Sequence, residues 1–105
     1  MTVDPASQLM CDVLVAVTAL PDGCFWRANV GVAVTARKAV VRFNLPGTPD
    51  ILGCYRGRAV GLECKHGTGR ASKDQVRWRT NWERGGGLYA IVRSVKDAMA
   101  ALGAA

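Results

Sequence analysis

The chain has 105 residues, 50% of them hydrophobic, and 14 Lys and Arg against 8 Asp and Glu give a formal net charge of +6. This composition predicts a single domain over residues 1–105 with one core, and it excludes intrinsic disorder for most of the chain. The longest apolar run, 13–20, is only eight residues long and includes Thr18, far short of the roughly 20 that a membrane span needs. Because the first residues also lack the basic and apolar regions of a secretory signal, we expect a cytoplasmic protein.

The first half of the chain predicts one helix followed by strands. Asp4 is a good N-cap and Pro5 a favoured first helical residue, and the apolar residues that follow at helical spacing predict a helix over 5–20. Valine-rich and alternating segments predict a β-hairpin of strands 25–35 and 39–44, joined by a turn at 36–38. A Pro- and Gly-containing break at 45–49 precedes two further predicted strands, 50–55 and 58–65.

The second half predicts a helix, a strand and a last helix. Ser72 is a candidate N-cap for a helix that continues to about residue 84, and Gln75, Trp78 and Trp82 share one face of it. Three glycines end this helix, 88–92 reads as a buried strand, and Ser94 caps a final helix to about residue 102. The predicted order is α-β-β-β-β-α-β-α, a mixed α+β fold.

The four cysteines show no C-x2-C spacing typical of a metal site. We therefore expect small, mostly buried thiols that stay reduced in a cytosol.

The positive charge is concentrated in one part of the sequence. Residues 56–84 hold eight basic and three acidic side chains, which is +5 of the total +6. Such a concentration favours a polyanionic partner, and nucleic acid is the commonest one. A basic solvated surface that serves solubility is the alternative.

Strand geometry predicts a cluster of charged side chains. If Arg56-Gly57 forms a two-residue hairpin loop, Asp50 lies directly opposite Glu63 with the Cβ atoms about 5 Å apart. Lys65, two residues beyond Glu63, then projects from the same face. The same register pairs Ile51 with Leu62 on the opposite face, toward the core.

Two opposed carboxylates destabilise a sheet unless a cation compensates them. Mg²⁺ is usually held by carboxylate oxygens, water and phosphate, and it would polarise a phosphodiester and acidify a bound water. Lys65 would then orient or deprotonate that water, or stabilise charge in the transition state. The alternative is that Lys65 only neutralises the two acids as a surface ion pair.

The residues of this cluster stand in a recognisable motif. Pro49-Asp50, followed after twelve residues by Glu63-Cys64-Lys65, resembles the signature of the PD-(D/E)XK nuclease superfamily. The surrounding sequence from residue 45 to about 102 resembles the VRR-NUC branch, with its G-x-P-D-I-x-G, G-R-x-S-x-x-Q and G-G segments. The resemblance implies a restriction-endonuclease-like core with a central mixed sheet flanked by helices.

The resemblance also implies site roles. Asp50 and Glu63 become metal ligands, the backbone carbonyl of Cys64 a third ligand, Lys65 the catalytic lysine, and Gln75 an active-site residue. The expected cofactor is Mg²⁺ or Mn²⁺. DNA contacts are expected from Arg27, Arg56, Arg58, Arg70, Lys73 and Arg77.

The first helix departs from the family pattern. The family usually carries a glutamate there, whereas this helix offers only Gln8 and Asp12, of which Asp12 is the better substitute. A weaker outer ligand would shift the metal preference toward Mn²⁺. Arg27 and Asn29, in a stretch that resembles the family's R-x-N-x-G, either contact DNA phosphate or cap the sheet edge.

The expected function is therefore that of a stand-alone DNA endonuclease, of bacterial or phage type, with a structure preference like that of Holliday-junction resolvases. The alternatives are a general, nicking or restriction-like nuclease and a non-catalytic DNA-binding module with the nuclease fold. Symmetric cleavage of a branched duplex needs two active sites, so a homodimer is expected. The Val-rich segment 25–44 is the candidate interface.

Overall fold

The computed structural model describes residues 4–28 and 31–104. Helix α1 (Pro5–Thr18) begins as predicted, because the Asp4 carboxylate accepts from the backbone N–H groups of Ala6 and Ser7. It ends two residues earlier than the sequence pattern predicts. Among residues 4–28 and 31–104, none of the helices could span a membrane.

Six strands and two further helices follow in the described part of the chain. They are β1 (Gly23–Arg27), β2 (Gly31–Val34), β3 (Val40–Phe43), β4 (Ile51–Tyr55), β5 (Arg58–Cys64), α2 (Lys73–Arg84), β6 (Leu88–Val92) and α3 (Val95–Leu102). The order is therefore α-β-β-β-β-β-α-β-α, with one strand more than the sequence predicts. The helices begin at the predicted N-caps Ser72 and Ser94.

The additional strand corrects the predicted hairpin. Segment 25–35 is not one strand, because β1 pairs antiparallel with β4 while β2 pairs with β3 in a separate two-stranded sheet. The turn between β2 and β3 is confirmed by the bond from the Lys38 N–H to the Thr35 carbonyl. Sequence periodicity describes each half correctly as extended, but it carries no information about which strand each half joins.

The main sheet has the strand order β1-β4-β5-β6, antiparallel except for the parallel pair β5 and β6. The β4–β5 hairpin has the predicted register, with Ile51 opposite Leu62 and Tyr55 opposite Arg58. Arg56 and Gly57 in the turn both adopt positive φ, at 49° and 82°, as a type I′ hairpin turn requires. The structure is thus a mixed α/β fold around a mixed four-stranded sheet.

Helices cover both faces of this sheet. On one face, α1 and α3 pack over a core that includes Val13, Ile51, Leu62 and Val92. On the other face, the sequence-predicted anchors of α2 are confirmed. Trp78 stacks on Trp82 with ring centroids 4.5 Å apart, and the Trp82 indole N–H donates to the Leu88 carbonyl at 3.0 Å.

The cysteines differ from their predicted burial. Only Cys64 is buried, whereas Cys11, Cys24 and Cys54 are exposed, and the four are free thiols. The prediction of mostly buried cysteines is therefore wrong. The prediction fails because the apolar character of cysteine shows only that it is compatible with a core, whereas the packing of each strand and helix decides which face reaches that core.

Candidate active site

Asp50 lies at the end of the sheet where β4 begins and β5 ends. It directly precedes β4, and its backbone carbonyl accepts from the Ala28 N–H at 2.8 Å. Its side-chain Oδ2 accepts from the backbone N–H of Cys64 at 2.9 Å. The Asp50 carboxylate is therefore fixed against the end of β5, beside Glu63, as the register predicts.

Glu63, Lys65 and Gln75 form one hydrogen-bonded group. The Gln75 Nε2 donates to Glu63 Oε1 at 3.2 Å, and the Lys65 ammonium donates to Gln75 Oε1 at 3.1 Å. The Lys65 Nζ also lies 3.8 Å from Glu63 Oε1. Gln75 thus links the acid and the lysine, and it sets the position of both from the first turn of α2.

The start of α2 explains how Gln75 reaches this place. Ser72 and Gln75 form a capping box, in which the Ser72 hydroxyl accepts from the Gln75 N–H and Gln75 Oε1 accepts from the Ser72 N–H. The loop before β4 packs closely on the same turn, since a Cβ at Gly47 would lie 2.2 Å from the Asp74 backbone oxygen. Gly47, at φ +87°, therefore lets the loop form a wall of the site.

A cleft of about 450 Å³ opens over the two carboxylates. A smaller recess of about 170 Å³ lies on the α1 side, and Arg27, Asp50 and Glu63 line both spaces. The other side chains and backbone segments around the larger cleft come from Ala28, Pro46, Gly47, Thr48, Ser72, Asp74 and Gln75. The predicted contact residue Arg27 is thus placed beside the acidic pair.

Burial dominates the electrostatics of the acidic pair. The Glu63 side chain is 7% exposed, and burial, followed by the charge of Asp50, raises the pKa of Glu63 to about 7. Burial also raises the pKa of the Cys64 thiol to about 12, which makes it a poor thiolate ligand. Glu63 therefore favours a bound proton or a nearby cation, because either one reduces its repulsion with the charge of Asp50.

The donor set fits a hard divalent cation. In an antiparallel strand the N–H and C=O of one residue point to the same side, so the Cys64 carbonyl faces the side on which its N–H meets Asp50. Asp50, Glu63 and this carbonyl together offer only oxygen ligands, which suit Mg²⁺ and Mn²⁺. Within residues 4–28 and 31–104, no group of three or more His, Cys, Asp or Glu side chains forms a metal site by itself.

Helix α1 brings no carboxylate to the cleft. Gln8 donates to Asp12 at 2.8 Å on an exposed part of the helix, and neither residue lines the cleft or the recess. The α1 residues that do line the recess are Ala6, Ser7 and Met10. The predicted substitution of Asp12 for a helix glutamate therefore has no support in this geometry.

The predicted DNA-contacting residues fall into two groups. Lys73, Arg70 and Arg77 lie in or near the start of α2, close to the cleft. Arg56 and Arg58 lie at the far end of the β4–β5 hairpin, about 20 Å from Asp50 at the rise of an extended strand. Asn29 lies outside the described residues.

Arg93 is a positioning residue that the sequence reading missed. Its guanidinium donates to the carbonyl oxygens of Gly67 and Gly69, and it thereby holds the loop between Lys65 and α2. No local pattern marks this arginine, because its partners are more than twenty residues away. The Ser72–Gln75 capping box, by contrast, has the spacing S-x-x-Q and could have been found from the sequence.

Comparisons with known proteins add no assignment. The chain matches no protein-family model, and a search of curated proteins finds no match to it.

We expect the stability of the metal-free protein to fall with rising pH because of Glu63. Its folded pKa of about 7 lies above the unfolded value of 4.5, so this stabilisation is complete below pH 4.5 and is lost as the pH rises through 7. The full decrease in the free energy of unfolding is on the order of 3 kcal/mol. Urea unfolding with a chelator, at a series of pH values, measures it.

The matched variants for this measurement are Glu63→Gln and Glu83→Gln. Glu83 is exposed on α2, where it pairs with Arg79. E63Q should make the free energy of unfolding nearly independent of pH between 4.5 and about 7, whereas E83Q should retain the pH dependence. An unchanged slope in E63Q would show that another group carries the effect.

Proposed function

We propose that this chain is a divalent-metal-dependent endonuclease that hydrolyses phosphodiester bonds in DNA, with a PD-(D/E)XK core of the VRR-NUC type. The observation that carries the proposal is that Asp50, Glu63 and Gln75 line one cleft, while Lys65 is hydrogen-bonded to Gln75 and lies 3.8 Å from Glu63. The mixed sheet, with Glu63 on β5, Asp50 directly before β4 and helices on both faces, is consistent with the core that the sequence resemblance implies.

The residues of the cleft have distinct roles in this proposal. Asp50, Glu63 and the Cys64 carbonyl would hold the metal ion, which would supply Lewis-acid polarisation of the phosphate and a more acidic bound water. Lys65, held by Gln75, would donate a hydrogen bond that orients the attacking water or stabilises the negative charge that develops on the phosphate. Gln75 is hydrogen-bonded to both the Lys65 ammonium and the Glu63 carboxylate, and it thereby holds the ammonium 3.8 Å from Glu63.

The surroundings of the cleft favour a polyanionic substrate. Arg27 lines it directly, and exposed Arg70, Lys73 and Arg77 extend the positive charge along the loop and α2. These residues would bind phosphates and contribute little base recognition. Selection by DNA shape, as in cleavage of four-way junctions, is therefore the preference that we propose.

A cleavage assay on linear, flap and four-way DNA tests the proposal. We expect cleavage with Mg²⁺ or Mn²⁺, no cleavage with a chelator or with Ca²⁺ alone, and the highest rate on the four-way substrate. Equal rates on the three substrates would support a general or nicking nuclease. Binding of DNA without cleavage under every metal condition would contradict the enzymatic proposal.

A non-catalytic DNA-binding module is the second candidate. The observation in its favour is the absence of an α1 carboxylate from the cleft and recess of the described structure. In that case Lys65 neutralises the acidic pair and the basic residues bind DNA. Added metal would then cause no cleavage of the DNA, and it would change the affinity for DNA only as much as added salt does.

We further propose that the protein acts as a two-fold homodimer. Strand β1 is an edge of the main sheet, and its Trp26 is 52% exposed. In the described part of the chain, β2 and β3 pack mainly against each other, although an isolated two-stranded sheet is marginally stable in water. Their Val34 and Val40 are 67% and 62% exposed, so a second copy would cover an apolar surface.

Light scattering at micromolar protein measures this assembly. We expect a mass twice the chain mass of 11.2 kDa, reduced to that of one chain in Val34→Lys with Val40→Lys. Val15→Lys is the matched control, because Val15 is 71% exposed on α1 and should leave the dimer intact. A mass of 11.2 kDa with full activity on four-way junctions would contradict the dimer.

A further inference from the structure

Two exposed cysteines lie directly opposite each other in the main sheet. Cys24 on β1 and Cys54 on β4 are partners in the antiparallel register, and both are exposed free thiols. Cys11 lies on α1, and the Cys64 side chain is buried in the core. Cys24 and Cys54 are thus the pair that strand pairing brings together, although they are thirty residues apart in the chain.

The hydrogen bonds of the two strands define the type of this pair. The Ala28 N–H donates to the Asp50 carbonyl, and the Arg56 N–H donates to the Asp22 carbonyl. Hydrogen-bonded pairs recur at every second residue, so Cys24 and Cys54 form one as well. Their Cα atoms are then about 5.5 Å apart, which is within the range of disulfides.

The side chains need a small adjustment before they can be linked. Directly opposed Cβ atoms are about 4.5–5.5 Å apart, at the long end for hydrogen-bonded pairs, whereas a disulfide prefers about 3.8 Å. The flanking β1–β4 hydrogen bonds are already 2.8 and 2.9 Å long, so the strands cannot come closer. Because β1 is an edge strand, a local increase in its twist can instead tilt the two Cβ atoms toward each other. The resulting disulfide would be exposed and slightly strained, which are properties of easily reduced, regulatory disulfides.

We propose that Cys24 and Cys54 form a reversible dithiol–disulfide site that responds to low-molecular-weight disulfides such as oxidised glutathione. One thiol loses its proton and attacks the glutathione disulfide, which forms a mixed disulfide and releases one glutathione thiolate. The second thiol, also deprotonated, attacks the protein sulfur of this mixed disulfide and releases the other glutathione. The protein loses two protons and two electrons, and one glutathione disulfide becomes two thiols.

Closure of this disulfide would constrain the part of the chain that forms one side of the cleft. The linked segment runs from Cys24 to Cys54 and contains Arg27, the β2–β3 hairpin and Asp50. A loop of about 30 residues that is closed in the unfolded state stabilises the folded protein substantially. We expect the oxidised form to melt roughly 10 °C or more above the reduced form.

Mass spectrometry of the full chain treated with oxidised glutathione tests the proposal. We expect a loss of two hydrogens, a Cys24–Cys54 cross-linked peptide, and alkylation of only Cys11 and Cys64 after denaturation. Incubation with reduced glutathione should restore all four thiols. Because no step uses DNA or metal, the result is separate from the outcome of the cleavage assays.

Three variants complete the test. Cys24→Ser and Cys54→Ser should each retain a glutathione adduct at the remaining thiol and lose the rise in melting temperature. Cys11→Ser should behave like the unmodified protein. The proposal is overturned if Cys24 and Cys54 both remain alkylatable after oxidation, or if the linkage joins either of them to Cys11 or to a second chain.

Discussion

Asp50→Asn and Glu63→Gln should each abolish DNA cleavage while DNA binding persists. Each substitution removes one negative charge and one good oxygen ligand from the proposed metal site. Neither changes Arg27, Arg70, Lys73 or Arg77, which supply the phosphate contacts of the proposal. The expected loss in cleavage rate is at least a hundredfold, because a metal-activated water and the polarisation of phosphate are both removed.

Cleavage kinetics with Mg²⁺ and with Mn²⁺, together with a binding titration on the same DNA, measure these two effects. Asp74→Asn is a matched control, because Asp74 lines the cleft but has no place in the proposed ligand set. It should cleave at a rate within a few-fold of the wild type. Wild-type rates in D50N or E63Q would show that the metal site is assigned wrongly.

Asp50→Asn changes a residue with a structural hydrogen bond, so the experiment must separate folding from catalysis. The Asp50 Oδ2 accepts from the Cys64 N–H, and an asparagine can retain this bond through its carbonyl oxygen. The folded fraction of D50N should therefore stay close to that of the wild type. Urea unfolding of the same samples verifies this, and it assigns any loss of cleavage to the metal site.

Lys65→Ala should lower the cleavage rate by two or more orders of magnitude with little effect on metal affinity. The Lys65 ammonium lies 3.8 Å from Glu63 and is held by Gln75 at 3.1 Å, so it is directed toward the acidic pair. Removal of a preorganised hydrogen-bond donor that stabilises negative charge in the transition state typically lowers the rate by a factor of about 10²–10³. Metal affinity should be unchanged or higher, because a competing positive charge is removed.

Isothermal calorimetry of metal binding and single-turnover cleavage separate the two roles of Lys65. If K65A binds metal far more weakly than the wild type, Lys65 organises the site and its role is structural. If K65A cleaves at the wild-type rate, Lys65 is only the ion-pair partner of Glu63. Lys96→Ala on α3 is the control for loss of one positive charge elsewhere, and both properties should be retained in it.

The Gln75 contacts distinguish these interpretations further. Gln75 Oε1 accepts from Lys65 and from the Ser72 N–H, while its Nε2 donates to Glu63. The same side chain therefore completes an N-cap and joins the acid to the lysine. This double use explains why a glutamine, with one acceptor and one donor group, suits the position better than a glutamate would.

Much of the site could be predicted from the sequence because it depends on local rules. The Arg56-Gly57 turn determines the register of β4 and β5, and side-chain alternation then places Asp50, Glu63 and Lys65 together. The N-cap residues Asp4, Ser72 and Ser94 similarly mark where each helix begins. These features involve neighbours in the chain or a hairpin of known turn length, so short-range geometry is sufficient.

Other features were decided only by the tertiary structure. The sequence does not show that residues 25–27 pair with β4 while β2 pairs with β3, because both choices satisfy the same alternation. The opposed position of Cys24 and Cys54, and the anchoring of the 66–70 loop by Arg93, follow from pairings between distant segments. Burial of Glu63 between the sheet and α2, which raises its pKa to about 7, likewise requires the packed fold, because desolvation arises only when separate elements exclude water together.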